Sequence, residues 1–166
     1  VGGLKLKSNV TTYTDDAGAF AQDRGRYYGI VLNGFVMSEK TLYHEFSHII
    51  DSRLEWDALI RTDALYSEDA WLALQPEGFS YAMSYTHVPE ELLSFANSGY
   101  FVCNYALTYP TEDRATLMEA AMENYTWDFE PGSGSRAKMQ YYADCIRDCF
   151  DTTGWPATTL WEQVLE

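Results

Sequence analysis

The chain has 166 residues, of which 46% are hydrophobic and 16% aromatic, enough to build the core of one domain. It carries 25 acidic and 11 basic residues, a formal net charge of −14. Because nucleic-acid binding needs a basic surface, this charge argues against a nucleic-acid partner. The sequence has no apolar run of transmembrane length, so we expect no membrane span.

We predict a single domain over residues 1–166. Since the chain opens with Val1 rather than Met, we expect it to be a fragment of a longer protein or a processed form. Its three cysteines, Cys103, Cys145 and Cys149, are too few to predict a disulfide framework.

The N-terminal part of the sequence favours strands, at residues 10–14 and most clearly at residues 27–32. Ser38 is a good N-cap for the next element, a helix whose apolar residues recur at helical spacing through about Leu54. The remaining pattern is helical, with breaks at proline, glycine and serine clusters. Further helices are predicted from Ser67, from Pro89, from an N-cap at Thr111 to about Asn124, over residues 137–151 and over residues 157–164.

The first predicted helix contains a short motif with possible metal ligands: residues 44–48 are His-Glu-Phe-Ser-His. Helix positions i and i+4 project from the same side, so His44 and His48 can direct two imidazoles at one metal ion. Glu45 would lie beside that ion, where it can act as a general base towards water. The string therefore predicts a zinc site with a catalytic base.

A catalytic zinc ion takes three protein ligands, so two histidines leave the predicted site one ligand short. Glu112 is the favoured third ligand, because it falls in the first turn of a predicted helix that could cross the first one. Asp113, the next residue, and His87, in a predicted loop, are the alternatives.

The segment around Glu112 strengthens this choice. Tyr105 precedes Glu112 by seven residues and Ala115 follows it by three. Together with the His-Glu-Phe-x-His-x-x-Asp string at residues 44–51, this spacing resembles gluzincin zinc metallopeptidases related to the catalytic domain of anthrax lethal factor. Residues 101–115 also resemble zinc-binding metallopeptidases of gut Firmicutes.

The resemblance implies a fold and a function. The implied fold is α+β and zincin-like, with a small twisted N-terminal β-sheet and an active-site helix, followed by a mainly helical C-terminal part. The implied function is a zinc-dependent metalloendopeptidase that acts on a protein or peptide substrate. Secretion or a cell-surface location is expected by the same analogy.

The resemblance also assigns roles to residues. His44, His48 and Glu112 would bind Zn²⁺, and Glu45 would be the general base. Tyr105 would donate its hydroxyl to the developing oxyanion, although a core aromatic is the alternative for one of 13 tyrosines.

Two positions bear on how the ligands are held. Asp51 lies three residues after His48 on the same helix face, where it can accept the free imidazole N–H of a ligand, or be an ordinary solvated charge. The lethal factor pattern carries a further acidic residue four positions after the glutamate ligand, and this chain has Thr116 there.

Two other functions remain open at this point. One is a non-catalytic peptide-binding module, with a recognition surface in the aromatic loop that contains Tyr85 and His87. The other is a structural zinc site, which would need a fourth protein ligand such as His87 or a cysteine.

Overall fold

The computed structural model describes residues 19–23, 28–32 and 38–166. Two five-residue strands, β1 (Ala19–Asp23) and β2 (Tyr28–Leu32), pair with each other in antiparallel orientation. The strand predicted at residues 27–32 corresponds to β2. The strand predicted at residues 10–14 lies outside the described residues.

Helices dominate the continuous described stretch, where about 60% of the residues are helical. None of these helices has both the length and the apolar character needed to cross a membrane. The α-helices are α1 (Glu39–Ile60), α2 (Glu68–Leu72), α3 (Glu90–Leu93), α4 (Pro110–Met122) and α5 (Gly134–Cys149). Shorter 3₁₀ segments cover Ser94–Asn97, Asn104–Leu107, Thr126–Phe129 and Leu160–Leu165.

The predicted α+β class with an N-terminal sheet is wrong. Residues 38–166 contain no strand, and within the described residues β2 pairs only with β1. The two short strands make a hairpin, which is smaller than the sheet that the predicted fold class requires. The strand pattern was thus recognised locally, but it did not indicate how many partners a strand would find.

Helix α1 begins where the sequence predicts and continues further. The Ser38 hydroxyl accepts a hydrogen bond from the Thr41 N–H at 3.1 Å, so Ser38 is the N-cap. The helix extends past the predicted end near Leu54 to Ile60. Ile60, in the last turn, is 61% exposed. The periodic spacing of apolar residues that face the core therefore does not indicate where α1 ends.

Helix α4 is the central element, since nearly every residue from Glu112 to Ala121 is buried. Its N-cap is Tyr109 and its first residue is Pro110, so the predicted N-cap at Thr111 is wrong. Proline is favoured at this first position because its missing N–H would have no partner within the helix. The core formed with α1, α2 and α5 consists mainly of Leu54, Trp71, Leu117, Met118, Met139, Tyr142 and Ile146.

A buried polar cluster ties α1 to α4 and α5. The Arg114 Nε donates to Asp51 Oδ2 at 2.8 Å, and the Tyr142 hydroxyl donates to Asp51 Oδ1 at 2.8 Å. The Tyr142 hydroxyl also lies 2.9 Å from the Ser47 hydroxyl. Because Ser47 and Asp51 flank His48, this cluster sets the position of α1 on the core at the histidine pair.

Candidate metal centre

The two histidines of α1 lie one turn apart on the side of the helix that faces α4. The His44 and His48 ring centroids are 4.9 Å apart, with the ring planes at 83°. Both residues are partly buried. The i, i+4 spacing therefore brings the imidazoles together, as the sequence predicts.

Glu112, in the first turn of α4, faces this histidine pair. Its Oε2 lies 3.0 Å from His44 Nε2 and 3.5 Å from His48 Nε2. One ligand atom from each residue can be chosen so that all three lie within 4.8 Å of one another. Two imidazoles and a carboxylate that converge in this way form a group that could hold a metal ion.

The alternative third ligands lie elsewhere. Asp113 is fully buried in an ion pair with Lys138, at 2.7 Å. His87 is exposed, and it does not belong to the group. Among the described residues, the group consists of His44, His48 and Glu112 and includes no fourth ligand, whether cysteine, histidine or carboxylate. A structural zinc site with four such ligands therefore has no support in the described region.

The charges of the group are strongly coupled. Burial opposes ionisation of Glu112, but hydrogen bonds from His44 and His48 outweigh it and lower the pKa of its carboxyl to about 2. Burial likewise opposes protonation of His44, but hydrogen bonds to Glu112 and Glu119 outweigh it and raise its pKa to about 9. The hydrogen bond between His44 Nε2 and Glu112 Oε2 therefore joins two side chains of the group that could hold a metal ion.

Glu119 contacts His44, and the sequence analysis missed this residue. Its Oε2 accepts from His44 Nδ1 at 3.2 Å, while its Oε1 pairs with Lys40 Nζ at 2.8 Å. Glu119 lies seven residues after Glu112, two helical turns further along the same face of α4. This spacing was the signal that could have found it, because positions i and i+7 of a helix share a face.

Thr116 stands where the resemblance leads one to expect an acidic residue, and it does not contact His44 in the place of that residue. Thr116 turns its hydroxyl back to the helix and donates to the Asp113 carbonyl at 3.0 Å. Glu119 provides the carboxylate beside His44 from one turn further along. A carboxylate that accepts a hydrogen bond from the remaining ring N–H of a histidine ligand fixes the tautomer of the imidazole and raises its basicity as a ligand.

Glu45 and Tyr105 lie near the group. Glu45 is buried, with 6% of the residue exposed, and follows His44 on α1. The Tyr105 ring lies 6.0 Å from the His44 ring, measured between centroids, and 42% of the residue is exposed. Burial and the nearby charges of Glu112 and Glu45 raise the pKa of the Tyr105 phenol, so at neutral pH it keeps the proton that it would donate.

Asp51 is buried rather than solvated, with 2% of the residue exposed. Its carboxylate oxygens accept from Arg114 and Tyr142, and the predicted hydrogen bond to a histidine ligand is not among these contacts. Asp51 therefore acts on the site through the position of α1 and α4.

No protein-family description, no curated protein and no solved structure matches this chain.

Proposed function

We propose that this protein is a zinc-dependent metalloendopeptidase. The observation that carries the proposal is the convergence of His44 Nε2, His48 Nε2 and Glu112 Oε2 from two helices, with Glu45 next in sequence to His44. Two histidines and a glutamate are a ligand set of catalytic zinc sites, whereas closed structural sites favour cysteine-rich sets of four. The donor set thus fits Zn²⁺, which His44, His48 and Glu112 would hold.

When bound, zinc would polarise the scissile carbonyl and lower the pKa of water towards neutrality. Glu45 would take the proton from the attacking water and deliver it to the leaving amine. Tyr105 would donate its hydroxyl to the oxyanion that develops on the scissile carbonyl. Glu119 would keep His44 in the orientation that presents Nε2 to the metal.

The test measures whether the wild-type chain cleaves peptides and whether this cleavage depends on the metal. After removal of metal with a chelator, Zn²⁺ is titrated back in competition with a chromophoric chelator. A proteome-derived peptide library is then incubated with each form and analysed by mass spectrometry. We expect new peptide termini with the zinc-loaded form, none after chelation, and recovery when Zn²⁺ is restored.

A second candidate function is a peptide-binding module without catalysis, and the surface beside the site favours it. Met83 and Tyr85 are 62% and 59% exposed, and the Tyr85 ring lies 6.4 Å from the Tyr105 ring between centroids. Tight zinc binding without any cleavage in the library would support this second function. A chain that binds no Zn²⁺ would contradict the metallopeptidase proposal altogether.

Changing Glu119 to glutamine should weaken zinc binding while leaving the fold intact. The glutamine amide can still accept from His44 Nδ1, but the loss of charge lowers the basicity of the imidazole as a ligand. Replacing such a partner typically costs 10- to 100-fold in metal affinity or activity, so we expect a loss of about 10-fold in affinity. Competition titration with Zn²⁺ measures it.

Glu123→Gln is the matched control, since Glu123 caps the C-terminal end of the same helix, four residues beyond Glu119. It should bind Zn²⁺ as the wild type does. Equal affinities for the Glu119 variant and this control would show that Glu119 does not act on the metal ligand.

A further inference from the structure

The first turn of α4 carries three successive charged residues that are all buried. Glu112, Asp113 and Arg114 are 5%, 0% and 0% exposed. Successive helix residues project about 100° apart, so three neighbours cannot share one partner surface. Glu112 faces the histidines of α1. Asp113 pairs with Lys138 of α5, and Arg114 pairs with Asp51, about one turn beyond His48 on α1.

Asp113 is enclosed in a network of its own. Lys138 Nζ, from α5, donates to both Asp113 oxygens, at 2.9 and 2.7 Å, and both side chains are fully buried. The Tyr81 hydroxyl donates to Asp113 Oδ2 at 2.6 Å and accepts from Trp71 Nε1 at 3.0 Å. Lys138 Nζ also lies 4.0 Å from the centroid of the Phe101 ring. These contacts leave Asp113 little freedom to move.

No side-chain cap fixes the start of α4. Its N-cap, Tyr109, makes no side-chain capping hydrogen bond, and Pro110 follows without an N–H. The rotation of the first turn about the helix axis therefore depends on tertiary contacts. Two of these contacts are buried ion pairs, Asp113–Lys138 on one side and Arg114–Asp51 on another.

We propose that the buried Asp113–Lys138 ion pair is a positioning device for the metal ligand Glu112. By locking the rotation of the first turn of α4 against α5, it holds the Glu112 carboxylate at the two imidazoles. Asp113 and Lys138 are positioning residues in this role, since they act through Glu112. This inference rests on the metal site proposed above.

Fold stability alone does not account for the pair. Two charges in the core lose their hydration, and replacing such a pair by neutral residues of similar size is often neutral or stabilising. A hydrophobic contact at this place would hold α4 to α5 but would leave its first turn freer to rotate. Here Lys138 Nζ donates to both carboxylate oxygens of Asp113 and the Tyr81 hydroxyl donates to one of them, so these contacts fix the direction of the carboxylate as well as its distance from α5.

The test uses the paired substitution Asp113→Asn with Lys138→Met. Changing Lys138 alone would leave a buried carboxylate without its cation and endanger folding. In the paired variant, the amide oxygen introduced by Asp113→Asn can still accept from Tyr81, so the core keeps its volume and one hydrogen bond. We expect thermal unfolding followed by circular dichroism to show a folded chain with a cooperative transition.

Metal binding is then measured on the variant and the wild type, by competition with a chromophoric chelator for Zn²⁺ and by the absorption spectrum of Co²⁺. We expect affinity for Zn²⁺ to fall about 10-fold and the Co²⁺ bands to shift, because the variant loses the ion pair that orients Glu112. Loss of a residue that orients a metal ligand typically costs 10- to 100-fold in metal affinity or activity. A merely structural role would change the melting temperature and move neither metal readout.

The paired variant Arg147→Met with Glu162→Gln is the control. It removes an ion pair between α5 and the C-terminal 3₁₀ segment, and neither residue belongs to the metal group. It should leave the Zn²⁺ affinity and the Co²⁺ spectrum as in the wild type.

The outcomes separate this inference from the proposed function. A folded Asp113/Lys138 double variant with unchanged Zn²⁺ affinity and unchanged Co²⁺ bands would overturn the positioning role and leave the metal site standing. Equal losses in this variant and in the control would overturn it too, because they would indicate general destabilisation. A wild-type chain that binds no Zn²⁺ would overturn both proposals.

Discussion

Changing Glu45 to glutamine is expected to lower the rate of peptide cleavage by about 1,000-fold, the middle of the range for loss of a general base. Glutamine keeps the size of the side chain but cannot take a proton from water. Zinc binding should stay close to that of the wild type, because Glu45 does not belong to the metal group. Initial rates on peptides identified in the library, together with a Zn²⁺ titration, measure both quantities.

Glu39→Gln is a suitable control for this experiment, since Glu39 is exposed in the first turn of the same helix. It removes the same charge from α1 without touching the site, so its cleavage rate should match the wild type. Undiminished proteolysis by the zinc-loaded Glu45 variant would refute the assigned base.

Changing Tyr105 to phenylalanine should reduce cleavage by about 100-fold or more, in line with the roughly 3 kcal/mol that one donor to an oxyanion contributes. The phenol keeps its proton at neutral pH, and its ring lies 6.0 Å from the His44 ring between centroids, so a protonated phenol lies beside the metal group. The loss should appear in kcat with little change in KM, because this contact forms mainly in the transition state. Steady-state kinetics on a single peptide separates the two.

Tyr109→Phe provides the matched control for the loss of a hydroxyl. The Tyr109 hydroxyl donates to the Met83 carbonyl at 2.9 Å and so serves the neighbouring loop. Its removal should leave kcat within a few-fold of the wild type. Equal kcat values for the Tyr105 and Tyr109 variants would contradict the oxyanion role of Tyr105.

The site combines contacts between residues that are close in sequence with contacts between residues that are far apart in sequence. His44 and His48 are one turn apart, and Glu112 reaches them from a helix 64 positions beyond His48. Glu119, on the same helix as Glu112, accepts a hydrogen bond from His44 Nδ1. The metal group is therefore an interface between α1 and α4, and anything that shifts one helix against the other changes its geometry.

Local patterns were read correctly where the cause of the structure is local. Ser38 caps α1 because a serine hydroxyl can accept from the first free N–H groups of a helix. Ser67 caps α2 in the same way, with its hydroxyl 3.1 Å from the Ala70 N–H. The pairing of His44 with His48 also follows from helix geometry alone.

Two predictions failed because distant partners decide the outcome. Residues 28–32 form a strand as expected, but a strand pattern does not specify its partners, and the described residues supply only one. The sequence allows Asp51 to be a solvated charge or a histidine partner, but Arg114 and Tyr142 donate to its oxygens instead. Both of those partners come from other helices.

The sequence by itself determined the chemistry that is available, namely two imidazoles on one helix face with a glutamate beside them. Only the tertiary structure decided that Glu112 rather than Asp113 meets the imidazoles, because neighbouring helix residues point about 100° apart and the rotation of α4 depends on Lys138 and Asp51. Periodicity encodes which residues share a face. It does not encode which other element that face will meet.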